Sequence, residues 1–314
     1  MNSRLAVAGD VYLQWLVEPA HFPAAGETVV ADRASWRVGG HGALQAMAAA
    51  HLGGQVLLWG HLGEDPFADL LRTELREAGV GLAGLSRSRQ SPSGVAFTWV
   101  NAAGQSQTTK VPGANACYEV RHLEHHQQGL AQCGCALLSS GIPEETLAHA
   151  ARLARQSGAK VILDPAADTR VTDELLAGVD YVILNEETLA LLTRAPLCDF
   201  SQAIAALKAR ELRGRGVPTV IVKLGPLGAL LVKEDLEHLW RPPAGASGDV
   251  TQSADLFAAA FAVALASGKT DLSAGKFAVA AAACKRWQPG EAPVFPSLAE
   301  VEHYLKPPLV KSQI

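Results

Sequence analysis

Six short runs of Val, Ile, Leu and Ala recur along this chain, with helical segments between several of them. That alternation constrains the fold more than any other feature. The runs are LAVAGD, QVLLWG, CALLSS, KVILDP, YVILN and TVIVKLG. Each is apolar throughout rather than at every second residue, as expected of strands covered on both faces. Segments such as DPFADLLRTELREAG and EETLAHAARLARQSG are amphipathic and close on basic residues and a glycine, as a helix C-terminus does. The pattern predicts an α/β fold with a mostly parallel central sheet flanked by helices on both faces. The 314 residues suffice for one such unit, and no linker or internal repeat divides them, so 1–314 reads as a single domain.

Two stretches break the rhythm. GETVVADRASWRV (26–38) and GVAFTWVNAAGQSQTTKV (94–111) read as strands without helices, with NAAG as a hairpin turn in the second. Strands inserted at about 12–38 and 94–113 predict a small β-strand lid beside a ligand site; an ordinary edge of the main sheet is the other assignment. A lid that exposes Trp36 or Trp99 favours burial against a second copy, giving a homodimer through the lid.

Composition narrows the partners. A formal charge of -4 gives no basic surplus for nucleic acid or a membrane surface. MNSRLAVAGDVYLQW lacks a basic region followed by a long apolar core, and no 18-residue apolar run occurs, so a cytoplasmic protein is expected. The five cysteines form an odd, scattered set, which favours reduced thiols, with CGC in a buried strand. RHLEHHQ carries one imidazole pair at helical spacing, His122 and His126. Nothing distant completes a metal site, and a solvated helix face is expected.

Several nucleotide and hydrolase signatures are excluded. GKT at 268–270 lacks the upstream P-loop glycine, where Val263 stands. Gly39-Gly40-His41-Gly42 lacks the dinucleotide-binding spacing, and no G-x-S-x-G elbow occurs.

The stretch with most chemistry is GDVTQSADLFAAAFAVAL (248–265). It places Asp255 at the head of a small-residue helix, after a loop with Asp249, Thr251 and Ser253. Helix N-termini attract anions. Read alone, Asp255 is as well explained as a helix cap.

Set beside the other segments, the chain resembles the ribokinase (PfkB) family of carbohydrate kinases along nearly its whole length. VGGHGALQAMAAAHLGG is similar to the family's Gly-Gly turn entering a helix. GEDPFADLLRTELREAGV resembles the segment that follows, and SGVAFTWVNAAGQSQTTKVPGANA the hairpin of the ribokinase branch. VILDPA, YVILNEE and VIVKLGPLGALLV come in the expected order, and the D-T-x-G-A-G-D signature falls on Asp249 to Asp255.

The resemblance implies ATP-dependent phosphoryl transfer to a hydroxymethyl oxygen of a sugar or nucleoside, with Asp255 as base. Gln252, Ser253 and Ala254 would form the anion hole. Gln14, Gly39, Gly40, His41 and Leu44 would line the acceptor site. Asn185, Lys223, Gly225, Gly228 and Val279 would lie near the nucleotide, although the two glycines also suit a tight hairpin. Mg²⁺ would be held mainly by ATP and water, with Glu187 as an indirect contributor. Asp249 and Thr251 mark where a monovalent cation such as K⁺ would sit.

The departures from the family concentrate at this site. Gln252-Ser253-Ala254 replaces G-A-G, which adds β-carbons wherever φ is positive, at about 1–2 kcal/mol each. Thr188 stands where N-x-x-E has its carboxylate, and Glu187 is one position, about 100° of helix, away. Gln14, Leu44 and Gly141 replace the Asp, Asn and Glu of the sugar side. Ribose is therefore not the expected acceptor. Two readings follow: a kinase with altered specificity, or a catalytically impaired relative acting as a small-molecule-binding or regulatory protein.

Overall fold

The computed structural model describes residues 4–125, 129, 132–167, 169–196, 201–243, 253–284 and 294–305. All six apolar runs form parallel strands of one sheet. They are β1 (Arg4–Ala8), β4 (Gln55–Gly63), β8 (Cys135–Ser139), β9 (Lys160–Asp164), β10 (Tyr181–Asn185) and β11 (Thr219–Lys223). The other strands are β2 (Tyr12–Glu18), β3 (Arg33–Gly39), β5 (Gly81–Ser88), β6 (Gly94–Val100), β7 (Ser106–Val111), β12 (Ala229–Val232) and β13 (Glu237–Trp240). The nine-stranded sheet runs β13-β12-β11-β10-β9-β8-β1-β4-β5, antiparallel only where β12 and β13 join β11. The parallel edge strand β5, GLAGLSRS, has two glycines, no β-branched residue and no continuous apolar run, which hides it in the sequence.

Strand residues alternate between two cores. Leu5 and Val7 point to one; Ala6 and Ala8 point to the other. The first face is covered by α1 (His41–His51), α2 (Pro66–Glu77), α8 (Ala254–Ala266), α9 (Asp271–Ala283) and α10 (Leu298–Leu305). The second is covered by α3 (Val120–Glu124), α4 (Glu144–Gln156), α5 (Asp173–Ala177), α6 (Glu186–Leu192) and α7 (Gln202–Arg213). Helices α8 and α9 are alanine-rich and buried almost all round, so they pack tightly as interior helices. Phe257 and Phe261 fill the space the alanines leave, and truncating either to Ala would cost about 3–5 kcal/mol.

The second sheet has four strands in the order β3-β2-β6-β7. NAAG makes the β6–β7 turn: Asn101 Oδ1 accepts from the N–H groups of Ala103 and Gln105, and Gly104 has φ 76°. Residues 26–32 run into β3 without joining a strand.

Of the CGC motif, Cys135 opens the buried strand β8, while Cys133 is buried just before it and Gly134 between them is exposed. The His122 expectation is corrected. Its half-buried ring stacks at 4.5 Å on His61, a buried residue of β4, and its Nδ1 accepts from Glu119 N, while Arg121, Glu124 and His125 are exposed as expected. His126 lies outside the described residues. Among the described residues, no helix is long and apolar enough to cross a membrane.

Candidate active site

In an open α/β sheet the ligand crevice lies beyond the carboxyl ends of the strands, where neighbouring connections leave in opposite directions. Here that point is β1, whose two neighbours are β4 and β8. Asp10, Gly141, Asp164, Asn185 and Lys223 all stand at or just beyond the carboxyl ends of β1, β8, β9, β10 and β11. The head of α8 and the Gly-Gly turn before α1 meet there, joined by side chains.

Asp255, in the first turn of α8, accepts two hydrogen bonds at Oδ1, from His41 Nδ1 at 3.0 Å and from Gln45 Nε2 at 3.1 Å. Its Oδ2 takes none from any described residue. The Asp255 carboxylate pushes the His41 imidazole up to about 9, against the opposing effect of burial, so His41 is an imidazolium at neutral pH. Gln45 is fully buried and also donates to Asp164 Oδ2 at 2.8 Å. Asp164 Oδ1 is 3.1 Å from Lys223 Nζ in an ion pair buried on both sides. Burial raises the Asp164 carboxyl above its ordinary value, and Lys223 opposes the rise.

At the α8 N-terminus, Ser253 is the N-cap at φ -104°, and among the described residues no side chain caps the first-turn N–H groups. Asp255 is thus not a cap for its own helix; its carboxylate reaches α1 instead. The strain expected of replacing G-A-G does not arise at the described positions. Ser253 has negative φ, Ala254 is the first helical residue, and Arg194 is the sole described non-glycine with positive φ. Gln252, Thr251 and Asp249 lie outside the described residues, so the K⁺ position does too.

On the acceptor side, Gly40 caps α1 at φ 98° and Gly39 ends β3, as the Gly-Gly turn requires. Gln14 is committed elsewhere: its Nε2 donates to Thr98 Oγ1 at 2.8 Å and its Oε1 accepts from Arg37 at 3.2 Å. Leu44 packs against the core. Near the expected nucleotide position, Asn185 Oδ1 is used to cap α6, accepting from Thr188 N at 2.8 Å. Thr188 is buried and Glu187 exposed, so neither brings a carboxylate into the cluster. Gly228, at φ 101°, is required by the hairpin: a Cβ there would overlap the Trp240 carbonyl. Gly225 starts the short turn of the same hairpin. Val279 is buried in α9 and belongs to the core. The Lys223 ammonium is held by Asp164 and is not free for a purine.

Asp10 was not among the candidates read from sequence. It follows β1 directly, is 1% exposed, and accepts from Gly42 N at 3.1 Å through Oδ1. Burial raises its carboxyl, opposed by His41 and Lys110. Among the described residues no cluster of His, Cys, Asp and Glu could hold a metal ion. A shallow groove of about 490 Å³ opens at the other end of the sheet, around Arg4, Gln55 and Cys133, far from these groups.

The sequence profile of the pfkB family of carbohydrate kinases matches residues 2–297. The chain belongs to the pfkB family. Among pfkB relatives, a ribokinase of Arabidopsis thaliana is 33% identical over 96% of this chain and 81% of its own length. A deoxyribokinase of Salmonella typhi is 30% identical over 96% of this chain and 98% of its own. The structure of Arabidopsis thaliana ribokinase complexed with ribose and ATP superposes with a TM-score of 0.87 at 29% identity. It covers 98% of this chain and 99% of that one. The pfkB assignment makes the chain a relative of ATP-dependent sugar kinases and gives the crevice at β1 a family context.

Proposed function

We propose that this protein transfers the γ-phosphoryl group of ATP to a hydroxymethyl oxygen of a small sugar or nucleoside, with Asp255 as general base. The carrying observation is Asp255 itself. One carboxylate oxygen is fixed by His41 and Gln45, the other takes no hydrogen bond from any described residue, and the residue stands in the first turn of α8. A base must be positioned within hydrogen-bond reach of the proton it takes. The acceptor hydroxyl gives its proton to Asp255 Oδ2 as its oxygen bonds to the γ-phosphorus, and the bond to ADP breaks. Negative charge on the transferring group is met by the α8 first-turn N–H groups and the His41 imidazolium.

Ribose is not the favoured acceptor, because Leu44 and Gly141 offer no partner to its hydroxyls and Gln14 is occupied. The competing reading, an impaired relative, is supported by Thr188, which leaves the Asn185 motif without its carboxylate. Acceptor-dependent ATP consumption over a panel of sugars and nucleosides tests the proposal. Turnover by the wild type that falls 10²–10⁴-fold in Asp255→Asn supports it; no ATP binding at millimolar nucleotide removes it.

The four-stranded sheet fits a lid. Gln14, Arg37, Thr98 and Lys110 share one pleat face, and the Lys110 charge acts on both Asp10 and His41, so that face looks toward the site. Trp36, Phe97 and Val111 are exposed on the opposite face, which supports pairing of two copies through the lid.

A further inference from the structure

Resting on the kinase reading above, we infer that Asp10 is the residue that grips the acceptor, hydrogen-bonding a hydroxyl of a neutral polyol. It supplies from the end of β1 the polar group that position 141 lacks. A buried carboxylate normally has its oxygens satisfied. Asp10 has Oδ1 on Gly42 N, while Oδ2 accepts from no described residue and is turned toward Gly141.

The two positions occupy one space. Gly141 has φ 86°, and a Cβ there would lie 2.6 Å from Asp10 Cβ and would overlap the carboxyl group itself. A side chain at 141 and an acid at 10 are therefore mutually exclusive. This chain has the acid at 10, with Gly141 leaving it room. The other residues expected on the acceptor side cannot replace it, since both ends of the Gln14 amide are taken and Leu44 is apolar.

The neighbouring charges define the ligand class. Asp10, Asp164 and Asp255 face His41, Lys110 and Lys223 through the contacts and fields described. Each buried carboxylate here is offset by a neighbouring cation, so a neutral acceptor enters without adding buried charge. A hydroxyl donor suits Oδ2, which as carboxylate oxygen only accepts.

The test compares wild type with Asp10→Asn, which keeps Oδ1 for Gly42, and with Asp10→Ser. Readouts are KM for the acceptor, KM for ATP and the apparent melting temperature. The expected result is an acceptor KM raised at least tenfold, an ATP KM within twofold and little change in melting. An unchanged acceptor KM overturns the inference and leaves the kinase reading intact. An equal loss of ATP affinity and melting temperature in both variants also overturns it, because Asp10 would then only hold the α1 turn. If the wild type phosphorylates no acceptor, the kinase reading fails separately. Calorimetry with the same neutral sugars and nucleosides then decides: binding lost in Asp10→Asn sustains the Asp10 role, and no binding to wild type ends it.

Discussion

Replacing Lys223 with Met removes one charge from a fully enclosed pair and leaves Asp164 facing the low-dielectric interior and, through Gln45, the Asp255 carboxylate. Breaking a buried pair from one side costs about 3–5 kcal/mol. With about 2.1 cal/mol/K of unfolding entropy per residue, 314 residues give roughly 0.66 kcal/mol/K, so the apparent melting temperature should drop by about 5–8 °C. The loss should depend on pH. Burial already raises the Asp164 carboxyl, and without Lys223 it rises further. A carboxyl whose folded pKa exceeds its unfolded one costs stability progressively as pH climbs from the unfolded value to the folded one, and in full above it. The gap to wild type is therefore small in acid and fully developed above that value. Differential scanning calorimetry at pH 5 and pH 8 reads both effects. Lys223→Met with Asp164→Asn should recover most of the loss, since removing both charges can be nearly neutral. A single variant that melts within 1 °C of wild type at pH 8, or a double variant no better than the single, would refute the argument.

Three further outcomes follow from the same geometry. His41 gains stability from Asp255 that is complete below about pH 6.5 and lost as pH rises through about 9. The rate should fall on that alkaline limb, and a pH profile of His41→Gln should lack the limb. Gly228→Ala should cost at least the 1–2 kcal/mol of a left-handed backbone, read as a lowered melting temperature, because its Cβ also meets the Trp240 carbonyl. Phe97→Glu on the outer lid face should give a monomer by light scattering where wild type gives a dimer, with the melting temperature of the monomer little changed.

The parallel sheet was legible because each of its six central strands is a continuous apolar run, a local signal. Strand β5 was not, since its membership depends on β4 beside it. Asp255 was legible only through its place in a longer pattern; its own neighbourhood reads as a cap. Its partners could not be found that way. His41 and Gln45 lie more than 200 residues upstream, and Asp164 meets Lys223 across the intervening strand β10. Asp10 was not legible because its meaning depends on Gly141, which follows β8, the neighbour of β1 in the sheet but remote from it in sequence. Gly228 had two explanations in sequence, and the Trp240 carbonyl supplies the physical reason for the hairpin one.

Of the connections that join the small sheet to the main body, two short stems carry groups of the crevice. One leaves Asp10 and enters β2; the other leaves β3 through Gly39 and Gly40 and delivers His41. Because both stems end on groups of the crevice, the seat of the small sheet and the positions of Asp10 and His41 are fixed by the same few residues of chain.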